Sequence, residues 1–142
     1  MFLGEYQHSL DSKARITIPS KIREQLGERF VITKGLDNCI FLYSGDEWSA
    51  LELKLRSLPF TKSNVRSFVR LLFAGASEVE FDKQGRIILP LNLREYAEID
   101  RDVTIIGVGT RVEIWANNKW AAYTGDAELS YEEIAENLLD LN

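Results

Sequence analysis

An internal repeat is the feature of this 142-residue chain that most restricts how it can fold. The segment from Asp11 to Glu24 aligns without a gap on the segment from Asp82 to Glu95, and the offset is 71 residues. Repeats of this kind are copies of one supersecondary unit. We therefore divide the chain into a first copy at 1–51, a connector at 52–72, a second copy at 73–123 and a tail at 124–142.

Each copy begins with the pattern of a strand followed by a short helix. Residues 15–18 alternate charged or hydroxyl side chains with branched apolar ones, which is typical of a half-buried strand, and a proline ends the run. Ser20 is a preferred N-cap and Gly27 a preferred C-terminal stop, so a helix is predicted between them. In the second copy, Asn92 or its neighbour is the candidate cap of a helix over 93–97.

Apolar runs predict two further strands in each copy, at 31–34 and 39–43 and again at 103–106 and 112–115. A unit of about 50 residues buries its own hydrophobic face poorly, whereas two copies can close on each other. The sequence therefore predicts a mainly β protein with short helices, of the α+β class. We expect the two copies to form one pseudo-symmetric barrel rather than two separate domains.

The connector has helical periodicity and a basic outer face. Two helices are predicted, one capped by Asp46 and ending near Pro59, and one capped by Thr61 or Ser63. Residues 52–71 carry a net charge of +4, from the cations Lys54, Arg56, Lys62, Arg66 and Arg70 against Glu52. This face either touches DNA or pairs with acidic groups of a neighbouring subunit.

The tail has the opposite charge. From Asp126 onward it contains six acidic residues and no basic one. Ser130 and Glu133 have the spacing of a capping box and precede Ile134 and two leucines. The pattern predicts a short acidic amphipathic helix.

The composition and the charge distribution exclude several classes of protein. With 45% hydrophobic residues, the chain is expected to fold, and neither a membrane span nor a signal peptide is visible, which favours a cytoplasmic location. One cysteine and one histidine cannot build a Cys/His zinc site, so no metal and no cofactor are expected. The net charge of −5 divides into +3 on residues 1–71 and −8 on residues 72–142, so a polyanionic partner is not excluded.

The strongest functional candidates are the two short segments Asp11–Arg15 and Asp82–Arg86, which each precede a strand. In one interpretation they are structural turns, in which the aspartate closes the turn, Gly85 supplies a positive φ and the arginine pairs with the aspartate. In the other, their cations contact DNA, with lysines on phosphates and arginines on a guanine edge or a phosphate. The two interpretations are compatible, and the second names Lys13, Arg15, Lys83 and Arg86.

Other residues are weaker candidates. Lys21 and Arg23 either contact phosphates beside the first segment or lie on the solvated side of the short helix. His8 and Cys39 are not expected to form a catalytic pair, because a lone cysteine in an apolar strand is usually a small core residue. The chain is therefore not expected to be an enzyme.

The D-x-x-x-R signature at Asp11–Arg15 and again at Asp82–Arg86, each followed by an apolar strand, a proline and an Arg-Glu pair, resembles that of the MraZ family. The likeness extends over about residues 1–125 and includes the opening residues 2–6. It implies an AbrB-like, swapped-hairpin fold, a double-split β-barrel made here from two repeats in one chain. It also implies a nucleoid-associated transcriptional regulator that binds direct repeats in double-stranded DNA upstream of its own operon, the division and cell wall cluster, as a homo-oligomeric ring.

Carried over to this sequence, the resemblance implies that Asp11 and Asp82 shape the loops and that Arg15 and Arg86 are the main DNA contacts. This sequence has Ala14 where the second loop has Gly85. The first turn must therefore avoid a positive φ or accept strain, and the two loops are not expected to be equivalent. Because the first copy is more basic, we expect Lys13 and Arg15 to read more of the DNA.

Two alternatives remain at this point. The ring could be an interaction scaffold that sequesters a protein partner, such as the rRNA methyltransferase encoded beside MraZ proteins, with the tail from Asp126 as the docking element. A dimeric antitoxin of the same superfamily fits less well, since antitoxins usually contain one copy of the unit.

Overall fold

The computed structural model describes residues 1–139, which form eight strands and five helices. The strands are β1 Glu5–Ser9, β2 Arg15–Thr17, β3 Arg29–Lys34, β4 Ile40–Ser44, β5 Ser77–Glu80, β6 Arg86–Ile88, β7 Asp102–Gly107 and β8 Val112–Ala116. The helices are α1 Ser20–Leu26, α2 Gly45–Arg56, α3 Ser63–Ala74, α4 Leu91–Tyr96 and α5 Asn117–Leu139.

The two copies exchange strands. All strand pairs are antiparallel, and the larger sheet has the order β1-β7-β8-β4-β3-β5. Strand β1 of the first copy pairs with β7 of the second, with Glu5 opposite Ile106, and β5 of the second pairs with β3 of the first, with Arg29 opposite Glu80. A separate two-stranded sheet joins β2 to β6, again one strand from each copy. Neither copy therefore completes its sheet alone.

The structure has the predicted α+β character, with antiparallel strands and helices. The strands predicted around 31–34, 39–43, 103–106 and 112–115 are present within two residues of their expected bounds. The closed barrel stays a prediction, because in residues 1–139 the hydrogen-bonded order of the larger sheet ends at β1 and β5. Strand β1 was not predicted, since its side chains are exposed or only partly buried and give no strong apolar alternation.

The predicted caps were wrong for four helices. Lys62, rather than Thr61 or Ser63, precedes α3, and it makes no side-chain cap hydrogen bond. Pro19 and Pro90, not Ser20 and Asn92, precede α1 and α4, and the carbonyl of Pro19 accepts hydrogen bonds from the N–H groups of both Ile22 and Arg23. Proline fits this position because its fixed φ starts a helix without needing an N–H donor. Helix α2 is capped by the hydroxyl of Ser44, which accepts from the Glu47 N–H at 3.2 Å, rather than by Asp46.

The acidic tail does not form a separate short helix capped by Ser130. Helix α5 begins at Asn117, directly after β8, and continues without a break to Leu139. Its first turns pack on the sheet through Trp120, whose ring centroid is 5.2 Å from that of Trp115. The acidic segment is thus the continuation of a helix that packs on the sheet at its other end.

The core has two parts, one on each face of the larger sheet. The main cluster gathers apolar residues of both copies, including Ile16 of β2 and Ile87 of β6. The smaller cluster contains Cys39, Phe41, Tyr43, Ile106 and Trp115 and is covered by Trp48 and Trp120. Both tryptophans thus separate the smaller cluster from solvent.

No helix within residues 1–139 combines the length and the apolar character needed to cross a bilayer.

The pairing of Ile16 with Ile87 lets us test how much the exchanged strands contribute to stability. Both side chains are buried, Ile16 completely, and they face each other across the β2–β6 pair. We expect Ile16→Ala to lower the free energy of unfolding by about 2–5 kcal/mol, because it leaves a cavity in the main cluster. Urea denaturation measures the change. Thr17→Ala at the exposed neighbouring position is the control, and equal losses for both variants would contradict the assignment.

Candidate nucleic-acid interface

The first signature segment, Asp11–Arg15, is a turn built around one carboxylate. Oδ1 of Asp11 accepts hydrogen bonds from the backbone N–H groups of Lys13 and Arg15, each at 2.9 Å. Its other oxygen, Oδ2, accepts from Nε of Arg15 at 2.6 Å. These donors, led by the Arg15 N–H, hold the pKa of Asp11 below its usual value. The aspartate thus shapes the loop and also fixes the arginine.

The second segment, Asp82–Arg86, repeats this geometry. Oδ1 of Asp82 accepts from the N–H groups of Gln84 and Arg86 at 2.9 Å each, and Oδ2 accepts from Nε of Arg86 at 2.8 Å. The same set of donors, again led by the backbone N–H of the arginine, lowers the pKa of Asp82. Each loop therefore holds two cations against one carboxylate that is fully engaged.

The first turn accepts strain, which is the second of the two alternatives that Ala14 left open. Ala14 adopts a φ of +57° and Gly85 a φ of +74°, so the first turn accepts the left-handed conformation rather than avoiding it. The hydrogen bonds across the turns also match, with the N–H of Ala14 on the Asp11 carbonyl and that of Gly85 on the Asp82 carbonyl, both at 3.0 Å. The aspartate bonds are sufficient to hold an alanine in this conformation.

The two loops are brought together by the exchanged strands. Arg15 lies opposite Ile88, Ile16 opposite Ile87, and Thr17 opposite Arg86 in the β2–β6 pair. The N–H of Ile18 bonds the carbonyl of Gly85 at 3.1 Å, and the N–H of Leu89 bonds that of Ala14 at 3.0 Å. A loop of each copy is thus tied to the strand of the other, which places the loops at opposite ends of a short two-stranded ribbon.

One face of this ribbon is buried and the other is accessible. The isoleucines at its centre point into the main cluster, whereas Thr17 and Ile88 are exposed and Arg15 and Arg86 are partly so. We call the surface formed by Arg15, Thr17, Arg86 and Ile88 the ribbon face. It displays two guanidinium groups, one hydroxyl and one branched apolar side chain, arranged around a pseudo-two-fold axis.

The two arginines of the ribbon face are not equally engaged. Arg15 pairs with Asp11 through Nε. Arg86 pairs with Asp82 through Nε, donates from Nη2 to Gln84 Oε1 at 3.0 Å, and has Nη1 4.0 Å from Oδ2 of Asp11. Asp11 therefore faces both arginines.

The remaining predicted cations divide into exposed and packed groups. Lys13 and Lys83 are exposed on the loops, and Lys21 is exposed on α1. Arg23 is partly buried, donates from Nη1 to the carbonyl of Ile18 at 2.7 Å, and lies against Gly85, where a Cβ would overlap its guanidinium. Arg23 is therefore not on the solvated side of its helix.

Sequence reasoning missed three residues of this region. Arg94 is the counterpart of Arg23 and donates from Nε to the Leu89 carbonyl at 2.9 Å. Thr17 is the hydroxyl residue of the alternating pattern, and Ile88 occupies the equivalent position of the second copy, 71 residues later. The repeat could therefore have identified both. An exposed isoleucine in the middle of an apolar run gives no signal of its own.

His8 and Cys39 have different surroundings. His8 lies on the edge strand β1 opposite Val103, whereas Cys39 is fully buried in the smaller cluster, where desolvation raises the pKa of its thiol. The structure therefore offers no reactive thiolate paired with the imidazole in the part of the chain that it describes.

Comparison with known proteins adds an independent result. The family model described as "MraZ protein, putative antitoxin-like" matches the chain twice, at residues 1–71 and 72–142. A protein of Syntrophomonas wolfei named "Transcriptional regulator MraZ" is 71% identical over 141 residues, which are 99% of each chain. Proteins of the same name from Acetivibrio thermocellus and Pelotomaculum thermopropionicum are 65% and 61% identical, over 97% and 100% of this chain and 96% and 98% of their own lengths.

The positive φ of Ala14 predicts an unusual stabilising substitution. Ala14→Gly removes the strain of a side chain in the left-handed region, and we expect it to raise the free energy of unfolding by about 1 kcal/mol. Gly85→Ala is the matched reverse change and is expected to cost more than this, because its Cβ also displaces Arg23. Thermal unfolding of both variants tests the pair, and a destabilised Ala14→Gly would contradict the geometry.

The lowered pKa values of Asp11 and Asp82 predict a loss of loop stability in acid. Folding favours the ionised form of each aspartate. Its contribution to the free energy of unfolding is therefore complete above the unfolded pKa of 3.8 and is lost as the pH falls through the lower pKa of the folded state. The stability difference between the wild type and an Asp11→Asn, Asp82→Asn double variant should therefore shrink below about pH 4. Urea midpoints over a pH series measure it, with Glu24→Gln as the control; a difference that is constant with pH would argue against these bonds.

Proposed function

The chain belongs to the MraZ family, and we propose that it is a transcriptional regulator that binds double-stranded DNA through the ribbon face and its two loops. Its operator would consist of direct repeats upstream of its own operon, in the division and cell wall gene cluster. The names of the relatives support the regulatory role, and the shape and charge of the ribbon face support its assignment as the DNA-binding surface.

The observation that carries the proposal is the two-stranded antiparallel ribbon with arginines on its accessible face. The major groove of B-DNA is about 12 Å wide and admits a two-stranded ribbon. Arginine is suited to bidentate contact with guanine, while a hydroxyl and a branched apolar side chain suit polar base edges and the thymine methyl group. The ribbon face presents one arginine and one smaller side chain from each copy.

The exposed lysines fit a different part of the DNA. Lys13 and Lys83 lie on the loops that flank the ribbon face, and Lys21 is exposed on α1. All three have flexible side chains that suit phosphate contact. The packed Arg23 and Arg94 are better placed to hold the loops in position, since both are bonded to backbone carbonyls at the ends of the ribbon. We therefore propose that the lysines position the protein and that Arg15 and Arg86 read bases.

The first loop is proposed to make the stronger base contact. Arg86 is shared among Asp82, Gln84 and Asp11, whereas within the described residues Arg15 has its ion pair with Asp11 alone. A guanidinium with fewer protein partners loses fewer bonds when it turns to a base. This difference agrees with the more basic character of the first copy.

A subunit of net charge −5 with few phosphate contacts cannot bind DNA tightly alone. We propose that the subunits assemble into a closed ring, so that several ribbon faces engage successive repeats of the operator at high effective concentration. Binding would then be cooperative and would place the protein at the nucleoid.

The test is equilibrium binding to DNA from upstream of the gene, intact or with scrambled repeats, over a salt series. We expect Arg15→Ala to weaken binding to the intact repeats by about 1–3 kcal/mol for each engaged subunit and to reduce discrimination against the scrambled DNA. Lys13→Ala should instead weaken binding to both DNAs and lower the salt slope by about one per engaged subunit.

The matched control is Lys119→Ala, which removes a cation that pairs with Glu98 away from the ribbon face. Arg86→Ala is expected to have a smaller effect than Arg15→Ala. Equal, weak binding of both DNAs that no ribbon variant changes would mean that the loops are structural turns, and the proposal would be withdrawn.

A further inference from the structure

Helices α2 and α3 leave an apolar groove between them that the rest of residues 1–139 does not cover. Its volume is about 350 Å³. Several of its lining side chains are strongly exposed, among them Phe60 at 76%, Leu58 at 40% and Phe73 at 39%. Exposed apolar surface that is rimmed by polar residues is typical of an interaction site.

The rim of the groove is basic. Arg56, Arg66 and Arg70 line it together with Glu52, and Arg56 pairs with Glu52 at 2.6 Å. Arg66 donates to the carbonyls of Phe60 and Thr61 at 3.0 and 2.9 Å, which holds the turn between the helices. An occupant of this groove should therefore be apolar on one side and acidic overall.

The end of α5 has this character. Tyr131, Ile134 and Leu138 follow the helical spacing of three and four, lie on one side of the helix, and are 76%, 47% and 62% exposed. Residues 131–138 also carry three carboxylates, of Glu132, Glu133 and Glu136, and no cation. Two turns of helix span about 11 Å, which is shorter than the roughly 18 Å of the twelve-residue helix α2.

The tail of a chain cannot reach its own groove without breaking a helix. Helix α5 is continuous from Asn117, and its start is held by Trp120, which packs on Trp115 and donates from Nε1 to Glu5 at 3.0 Å. All of residues 131–138 are exposed, so within the described residues this segment does not fill the groove of its own chain. The tail that fits the groove must belong to another copy.

We propose that the segment 131–138 of one subunit docks its apolar side into the α2–α3 groove of a second copy of the chain. The surfaces are different on the two partners, so the contact is heterologous and leaves a free groove at one end and a free tail at the other. When such a contact is repeated from subunit to subunit, a closed ring forms if the rotation between neighbouring subunits returns the last subunit to the first. The inference deepens the ring assembly of the proposed function, for which it supplies the interface.

The experiment measures the mass of the full-length chain in the absence of DNA, by sedimentation velocity over a range of concentrations. The tail variant is Ile134→Ser with Leu138→Ser, and the groove variant is Phe60→Ser with Leu58→Ser; all four side chains are exposed, so the fold is retained. Each variant alone should associate at least about tenfold more weakly than the wild type. Leu3→Ser with Leu36→Ser changes two equally exposed apolar side chains that belong neither to the tail nor to the groove; it is the matched control and should assemble.

Mixing the two variants is the decisive step. The tail variant retains its groove and the groove variant retains its tail, so a mixture should form pairs and not grow further. Wild-type mass for either variant alone overturns the proposal and leaves the tail free for a different protein. A loss of mass in both variants without pairing in the mixture also overturns it, since the two surfaces then do not meet.

These outcomes are separate from those of the DNA test. The Arg15→Ala subunit has an intact tail and groove, and it should assemble even where it fails to bind the operator. Conversely, the wild type could bind DNA specifically while the tail variant keeps the full mass of the assembly. That result would support the proposed function and contradict only the proposed interface.

Discussion

Pairing of strand β2 with strand β6 is the interaction on which the rest of the structure depends. It joins the two copies through buried isoleucines, and it is reinforced by the cross-copy hydrogen bonds of Ile18 to Gly85 and of Leu89 to Ala14. Since β1 and β5 are exchanged as well, each copy obtains part of its sheet from the other. A chain built in this way has to place its two signature loops symmetrically about the shared ribbon, and the proposed binding surface follows from the fold.

Shape and charge are coupled within each loop by a single carboxylate. Asp11 and Asp82 each use one oxygen to accept from two backbone N–H groups and the other to accept from an arginine. The arginine side chain of each loop is therefore restrained. This arrangement reduces the conformational entropy that an arginine loses when it contacts DNA. The same carboxylate weakens the net positive potential of the loop. High affinity for DNA would therefore require several subunits to bind at once.

Much of the fold was predictable from the sequence, because the repeat and the alternation of apolar residues are local patterns. Strands such as 31–34 and the turn at Asp11 follow from these patterns. The pairing of β1 with β7 was not predictable in this way, since it depends on contacts about 100 residues apart between weakly patterned strands. Likewise, nothing local distinguishes the exposed Ile88 from the buried Ile87, and the conformation of Ala14 depends on bonds that its own side chain does not make.

The separation of charge along the chain resolves the apparent conflict between an acidic protein and a polyanionic ligand. Acidic groups are concentrated on the far end of α5, while the loops and the α2–α3 pair are basic. Repulsion between exposed charges is largely screened beyond about 10 Å at ordinary salt. In the proposed assembly, the carboxylates of a tail would lie against the basic rim of a neighbour's groove, which would offset their charge. The same placement would neutralise cations that otherwise compete with the ribbon face for DNA. The proposed assembly and the proposed recognition would thus use opposite charges at different places in one subunit.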